Sequence, residues 1–88
     1  MTTMLTVQAK SAVLGWECAV DTGGSRHTVH VRPEDMQRWG RPDETPEALV
    51  TRSFEFLLRR EPASAILGSF GLADIERYFP EFDQEIRR

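Results

Sequence analysis

Two histidines, a single cysteine, a Gly-Gly pair and a scatter of arginines are the residues of this chain whose types could do chemistry. His27 and His30 stand three apart, a spacing that brings two ligands together on a helix but sends them to opposite faces of a strand. Cys18 needs a neighbouring base to act as a nucleophile. Gly23-Gly24 is too short for a phosphate-binding loop and opens no helix. Arg26, Arg32, Arg38 and Arg41 form a candidate basic edge, the weak signature of a nucleic-acid surface. What these residues amount to depends on the elements that carry them.

His27, His30 and Cys18 fall in an alternating pattern. Residues 12–20 read as a strand with Ala12, Leu14, Trp16, Cys18 and Val20 on the core face and Val13, Gly15, Glu17, Ala19 and Asp21 on the other. Residues 21–25, Asp-Thr-Gly-Gly-Ser, supply turn chemistry, and residues 26–32 return. In the register that buries every apolar residue of the return strand, Val20 faces His27, Cys18 faces Val29 and Trp16 faces Val31. On the outer side Asp21 meets Arg26, Ala19 meets Thr28 and Glu17 meets His30. A slip of one residue would bury Thr28, His30 and Arg32 instead. The register separates the two histidines and puts Val29, not a base, against Cys18, so no catalytic, metal-ligating or cofactor-binding residue is expected. A shorter alternation, with Leu5, Val7 and Ala9 on one side, predicts a strand ahead of this hairpin.

Two helices follow. Pro33 at a first helical position, acids in the first turn and Gly40 after the last predict a short helix over 33–40. Thr45 as N-cap, Pro46 after it and Pro62 beyond predict a longer helix over 45–61, with a Glu55–Arg59 ion pair on its surface. Its apolar residues Leu49, Val50, Phe54, Phe56, Leu57 and Leu58 spread over about 200° of arc, more than one sheet can cover. Ser53 lies inside that arc, where a small residue permits close approach. A second layer must cover the remainder, or a partner must. Residues 62–88 provide the second layer: a short segment after Pro62 that stops at Gly68, a linker at Ser69–Gly71, a helix near Leu72–Phe79, and a last one after Pro80 that extends the stripe through Phe82 and Ile86. Four of the eight aromatics (Phe70, Tyr78, Phe79 and Phe82) concentrate here.

The second half resembles a group of small, uncharacterised bacterial proteins. The resemblance covers roughly residues 45–86 and is carried by Ser53-Phe54-Glu55-Phe56-Leu57-Leu58 and Tyr78-Phe79-Pro80-Glu81-Phe82, with a looser echo at Val29–Glu34. It implies a bacterial, cytoplasmic origin and brings no established activity.

Length and composition agree with one folded domain. At 88 residues, 40% hydrophobic and 28% charged, the chain is ordinary for a globular domain but near the size at which one core gives only a few kcal/mol. Its net charge of −3 divides into +1 over residues 1–42 and −4 over the rest, which argues against a general phosphate-binding surface. A lone cysteine forms no intrachain disulfide, and no apolar run is long enough to span a bilayer, so a cytoplasmic location is expected. The expectation is a single α+β domain: a three-stranded antiparallel β-meander packed on one face by a long helix and short C-terminal helices. Its function is expected to be a non-enzymatic protein-interaction module, binding a protein partner or itself as a homodimer, through a candidate surface of Phe54, Phe56, Leu58, Tyr78 and Phe82. The alternative is a nucleic-acid-associated, antitoxin-like regulator using the basic edge. No membrane or cofactor partner is expected.

Overall fold

A computed structural model describes residues 5–88. Four strands form one mixed sheet in the order β1-β2-β3-β4: β1 Thr6–Ala12, β2 Gly15–Asp21, β3 Arg26–Val31 and β4 Ser69–Gly71. The β2–β3 pairing is the predicted register throughout, with Val20 opposite His27, Cys18 opposite Val29 and Trp16 opposite Val31. Thr22 organises the four-residue connection: its backbone N–H donates to the Ser25 carbonyl at 3.0 Å, and its Oγ1 accepts from the Ser25 N–H at 3.0 Å. β1 pairs antiparallel with β2, so that Val7 meets Val20 and Ala9 meets Cys18.

Two strand expectations are corrected. The first concerns residues 12–14, which do not lead the second strand. Ala12 ends β1, and Val13-Leu14 form the turn into β2, with Val13 99% and Leu14 72% exposed. Gly15 takes φ 112°, whereas neither turn residue has a positive φ. A tight hairpin built this way needs a left-handed residue after the turn, and only glycine adopts it without strain. Space is equally decisive, since a Cβ on Gly15 would stand 2.1 Å from the Val31 carbonyl oxygen. Gly15→Ala is therefore expected to cost about 2–4 kcal/mol, measured by urea unfolding. A loss under about 1 kcal/mol would show that the hairpin tip moves off β3 freely.

The second correction is β4, which had been expected to be a linker. It lies parallel to β3 with Phe70 beside Val29, so the sheet has four strands and is mixed rather than a three-stranded meander. Its edges are fastened by the Thr28 N–H on the Gly68 carbonyl at 2.8 Å and the Leu72 N–H on the His30 carbonyl at 2.9 Å. Parallel pairing requires a crossover, and the helices between β3 and β4 provide it.

Helix α1, Pro33–Trp39, is closed at its start by Asp35: the buried carboxylate accepts from the Arg32 N–H at 2.9 Å and from its guanidinium at 2.9 Å. Helix α2, Pro46–Leu58, has Thr45 as its N-cap, accepting from the Ala48 N–H at 3.2 Å. It stops two residues short of Arg60, where the N–H groups of Arg60 and Glu61 both reach the Leu57 carbonyl. The α2 face packs over β1 and β2 and buries Leu49, Val50, Phe54, Phe56 and Leu57. Ser53 is buried with them, its hydroxyl donating to the Leu49 carbonyl at 2.8 Å.

The C-terminal layer is built of a 3-10 turn at Ala63–Ala65 and two one-turn helices, α3 Asp74–Tyr78 and α4 Phe82–Ile86. Phe82 meets Trp39 at 5.3 Å between ring centroids and Phe56 at 5.2 Å, edge to face in both cases. Phe79 adds a third edge contact on Phe56. No helix among the described residues is long and apolar enough to cross a membrane.

Candidate functional site

The residues singled out for chemistry come apart. Cys18 is fully buried, and burial together with the field of Glu47 pushes its thiol up to about 11, so a reactive thiolate does not form near neutrality. His27 and His30 occupy opposite faces of β3. His27 is buried, tilted against Phe54 at 5.3 Å, with Nδ1 donating to the Leu67 carbonyl at 2.8 Å and Nε2 bonded to Ser25 Oγ at 2.8 Å. The carbonyl can only accept, which fixes the proton on Nδ1. No group of three or more His, Cys, Asp or Glu among the described residues is placed to hold a metal ion.

The candidate basic edge is largely neutralised. Arg26 lies 3.6 Å from Asp21; Arg32 binds Asp35 and approaches Glu34; Arg38 binds Glu76 at 2.8 Å and Asp83 at 3.3 Å. Arg41 donates to the Arg88 carbonyl at 2.7 Å. Arg26, Arg32 and Arg38 thus stand beside carboxylates while Arg41 meets only a carbonyl, so the edge is of mixed charge and not uniformly basic. A cleft of about 140 Å³ also gathers Arg41, Arg52, Arg59 and Arg88. Arg52 is committed there to Glu44, and Glu85 to Arg60.

The candidate apolar surface needs the same correction. Phe54, Phe56 and Phe82 are fully buried and Leu58 is half-buried, while Tyr78 is 68% exposed. The physical reason is the fold's second layer: Phe79 and Phe82 close over Phe56, and Phe70 packs on Phe54 at 6.1 Å. The expected Glu55–Arg59 pair is not among the ion pairs of the described residues; Arg60 instead binds Glu81 at 3.1 Å and Glu85 at 2.6 Å and stacks on Phe56 at 3.7 Å.

What the second layer leaves open is a groove of about 360 Å³ where the end of α2, the 3-10 turn, β4 and α3 converge. Leu57 and Ile75 form its buried floor, Ile66, Phe70 and Phe79 its half-buried walls. Leu67, 53% exposed, and Tyr78 stand on its rim. The groove is at the lower end of the volume range for small binding sites. Its walls are held in place by bonds already described, since His27 and Thr28 fasten the carbonyls of Leu67 and Gly68 onto β3.

Two carboxylates line this groove. Asp74 accepts from the Gly71 N–H at 3.0 Å and lies 3.7 Å from Arg77. Glu61 is half-buried and makes no ion pair among the described residues. The lining thus offers apolar contact and negative charge, with no nucleophile–base pair. It suits an apolar side chain flanked by a cation. Of the residues expected at a site only Tyr78 is here; Ile66 and Leu67 belong to the short segment after Pro62, and nothing in the sequence marks Glu61. In comparisons with protein-family models, curated proteins and solved structures, the chain matches none.

Proposed function

We propose that the chain is a non-enzymatic protein-interaction module, and that its docking site is the groove between α2, β4 and α3. The partner presents an apolar anchor, a leucine or phenylalanine, next to a lysine or arginine. The carrying observation is the pairing of a preformed apolar groove and exposed Leu67 and Tyr78 on its rim with a carboxylate, Glu61, that makes no ion pair among the described residues. Apolar anchors that fill a desolvated pocket dominate binding, and a neighbouring charge selects among them.

Amide-resonance titration with a short Leu-Lys-Arg-containing peptide tests the proposal. Shifts confined to residues 57–79, abolished by Glu61→Lys, are expected. No shift at roughly millimolar peptide, or equal shifts with a peptide whose basic residues are replaced by glutamate, would overturn it. The mixed charge of the Arg26, Arg32 and Arg38 edge favours a protein partner over the alternative nucleic-acid reading, whose signature would be salt-dependent binding of DNA or RNA.

A further inference from the structure

The two edges of the sheet are finished differently. β4 is three residues long, and its Gly71 N–H is taken by the Asp74 carboxylate at 3.0 Å. β1, at the other edge, is seven residues long and pairs with β2 residue for residue from Thr6 to Ala12, with no bulge and no proline. Among the described residues no strand lies on its free side. Edge strands are ordinarily kept from pairing by shortness, bulges, prolines or inward-pointing charges. β1 has none of these, and its one charge, Lys10, stands on the outer face opposite Glu17.

The phase of the hydrogen bonds across the sheet fixes which backbone groups of β1 are free. In β3 the Thr28 N–H and the His30 carbonyl are bonded toward β4, to Gly68 and Leu72. Alternate residues of a strand point their backbone groups to alternate sides, so Val29 and Val31 bond to β2 at Cys18 and Trp16. The Thr22 N–H on the Ser25 carbonyl has the same phase. One strand further, Glu17 and Ala19 therefore turn to Lys10 and Gln8 of β1. The N–H and C=O groups of Val7, Ala9 and Ser11 are left pointing to the open edge. The side chains of Val7 and Ala9 pack on the core but are only half-buried, whereas Val20 and Cys18 opposite them are fully buried.

We propose that two copies of this chain pair antiparallel through β1, joining their sheets into one about a two-fold axis at Ala9. The strand complements itself in this register. Val7 exchanges backbone bonds with Ser11 of the second copy, Ala9 with Ala9, and Ser11 with Val7, so the free groups of all three residues are satisfied. On the outer face Lys10 falls opposite Gln8 and not a second Lys10, while Thr6 falls opposite Ala12. On the inner face Val7 and Ala9 meet small side chains, and both α2 helices lie on that side of the joined sheet. A foreign strand would satisfy the same backbone groups; the match of all seven positions, with no like charges directly opposed, selects a second copy. The two-fold contact uses one edge of each copy and closes at the dimer. The groove flanks β4 at the opposite edge, so the pairing leaves it open and does not depend on it.

Sedimentation velocity from roughly 5 μM to 1 mM is the test, with wild type, Gln8→Lys and Gln8→Glu. Gln8 is exposed and stands opposite Ala19 in its own sheet, so neither change removes core packing. Wild type is expected to dimerise with a dissociation constant of roughly 10–500 μM. Gln8→Lys sets a lysine opposite Lys10 on both sides of the axis and is expected to weaken association about threefold or more. Gln8→Glu sets a carboxylate there and is expected to strengthen it about threefold. Within one copy the diagonal neighbours of position 8 on β2 are Glu17 and Asp21, so an effect on the monomer alone would have the opposite sign. Amide exchange reads the phase of the joint. The N–H groups of Val7, Ala9 and Ser11 are expected to exchange fast in dilute protein and slowly in concentrated protein, with Gln8 and Lys10 protected in both. A wild type that stays monomeric throughout would overturn the proposal. So would Gln8 variants that shift association in one direction or not at all, or exchange at Val7, Ala9 and Ser11 that ignores concentration.

Discussion

Phe82→Ala is expected to destabilise the protein by about 3–5 kcal/mol, the range for removing a large ring from a packed core. A domain of this length has about 5–12 kcal/mol in total, so the variant would lose a large share of its margin. Phe82 is fully buried between Trp39 of α1 and Phe56 of α2. It is thus the side chain through which α4 reaches both helices. Trp39 Nε1 also donates to Asp83 at 2.8 Å, so loss of the Phe82 ring exposes the indole and loosens its only hydrogen-bonded tie to α4. The measurement is urea unfolding followed by tryptophan fluorescence in a Trp16→Phe background, where Trp39 alone reports. The expected native spectrum is red-shifted as well as the midpoint lowered. A destabilisation under about 1 kcal/mol with an unchanged spectrum would mean that the C-terminal segment contributes little to the core. Phe82→Leu keeps most of the volume and should fall between, which separates lost packing from lost aromatic edge contacts.

The same ring shows why part of the site was legible and part was not. An apolar arc of about 200° on α2 requires a second cover, and that requirement comes from residue order alone. Which residues supply the cover, and which escape it, depends on tertiary geometry. Phe54 and Phe56 therefore looked available and are buried, whereas Leu67, on an unremarkable short segment, stands on the groove rim. The β2–β3 register could be derived because one face of the hairpin must be apolar and one slip reverses every side chain. The hairpin tip could not, because Val13 and Leu14 continue the alternation of their neighbours and lack turn chemistry. Only Gly15 marked the break. The three residues of β4 are too few for any period to show.

Arg52 left no signal of either kind, and it supports the other large effect. Its guanidinium grips the Glu44 carboxylate with two bonds, Nε to Oε2 at 2.8 Å and Nη2 to Oε1 at 2.7 Å. The same group donates to the carbonyls of Trp39 and Ile86. One side chain thereby joins the end of α1, the connector, α2 and the end of α4. The pair is largely shielded, with side-chain exposures of 18% and 8%. Arg52→Ala would take the guanidinium away from two carbonyls and from that carboxylate, which keeps only the Arg41 N–H at 3.0 Å. Breaking a buried pair from one side costs about 3–5 kcal/mol; with partial exposure about 2–4 kcal/mol is expected here. Arg52→Lys keeps the charge but not the fork, and should recover less than half of the loss.

Acid gives an independent check on that assignment. Arg52, above all by its hydrogen bonds, and then the Arg41 N–H hold Glu44 below its ordinary value of 4.5 despite burial. Glu81 is lowered by a backbone hydrogen bond and by Arg60, and Asp83 by Trp39 and then Arg87. Each of these groups binds its proton more weakly when folded than when unfolded. The stability they contribute is complete above the ordinary carboxylate values and is lost as pH falls through the lowered ones. Melting temperature is therefore expected to fall below about pH 4.5, and to fall less steeply in Arg52→Ala, where Glu44 has lost its main cause of depression. Parallel acid limbs in the two proteins would show that Glu44 owes nothing to Arg52, and the clasp at the centre of the four segments would have to be assigned to the backbone contacts alone.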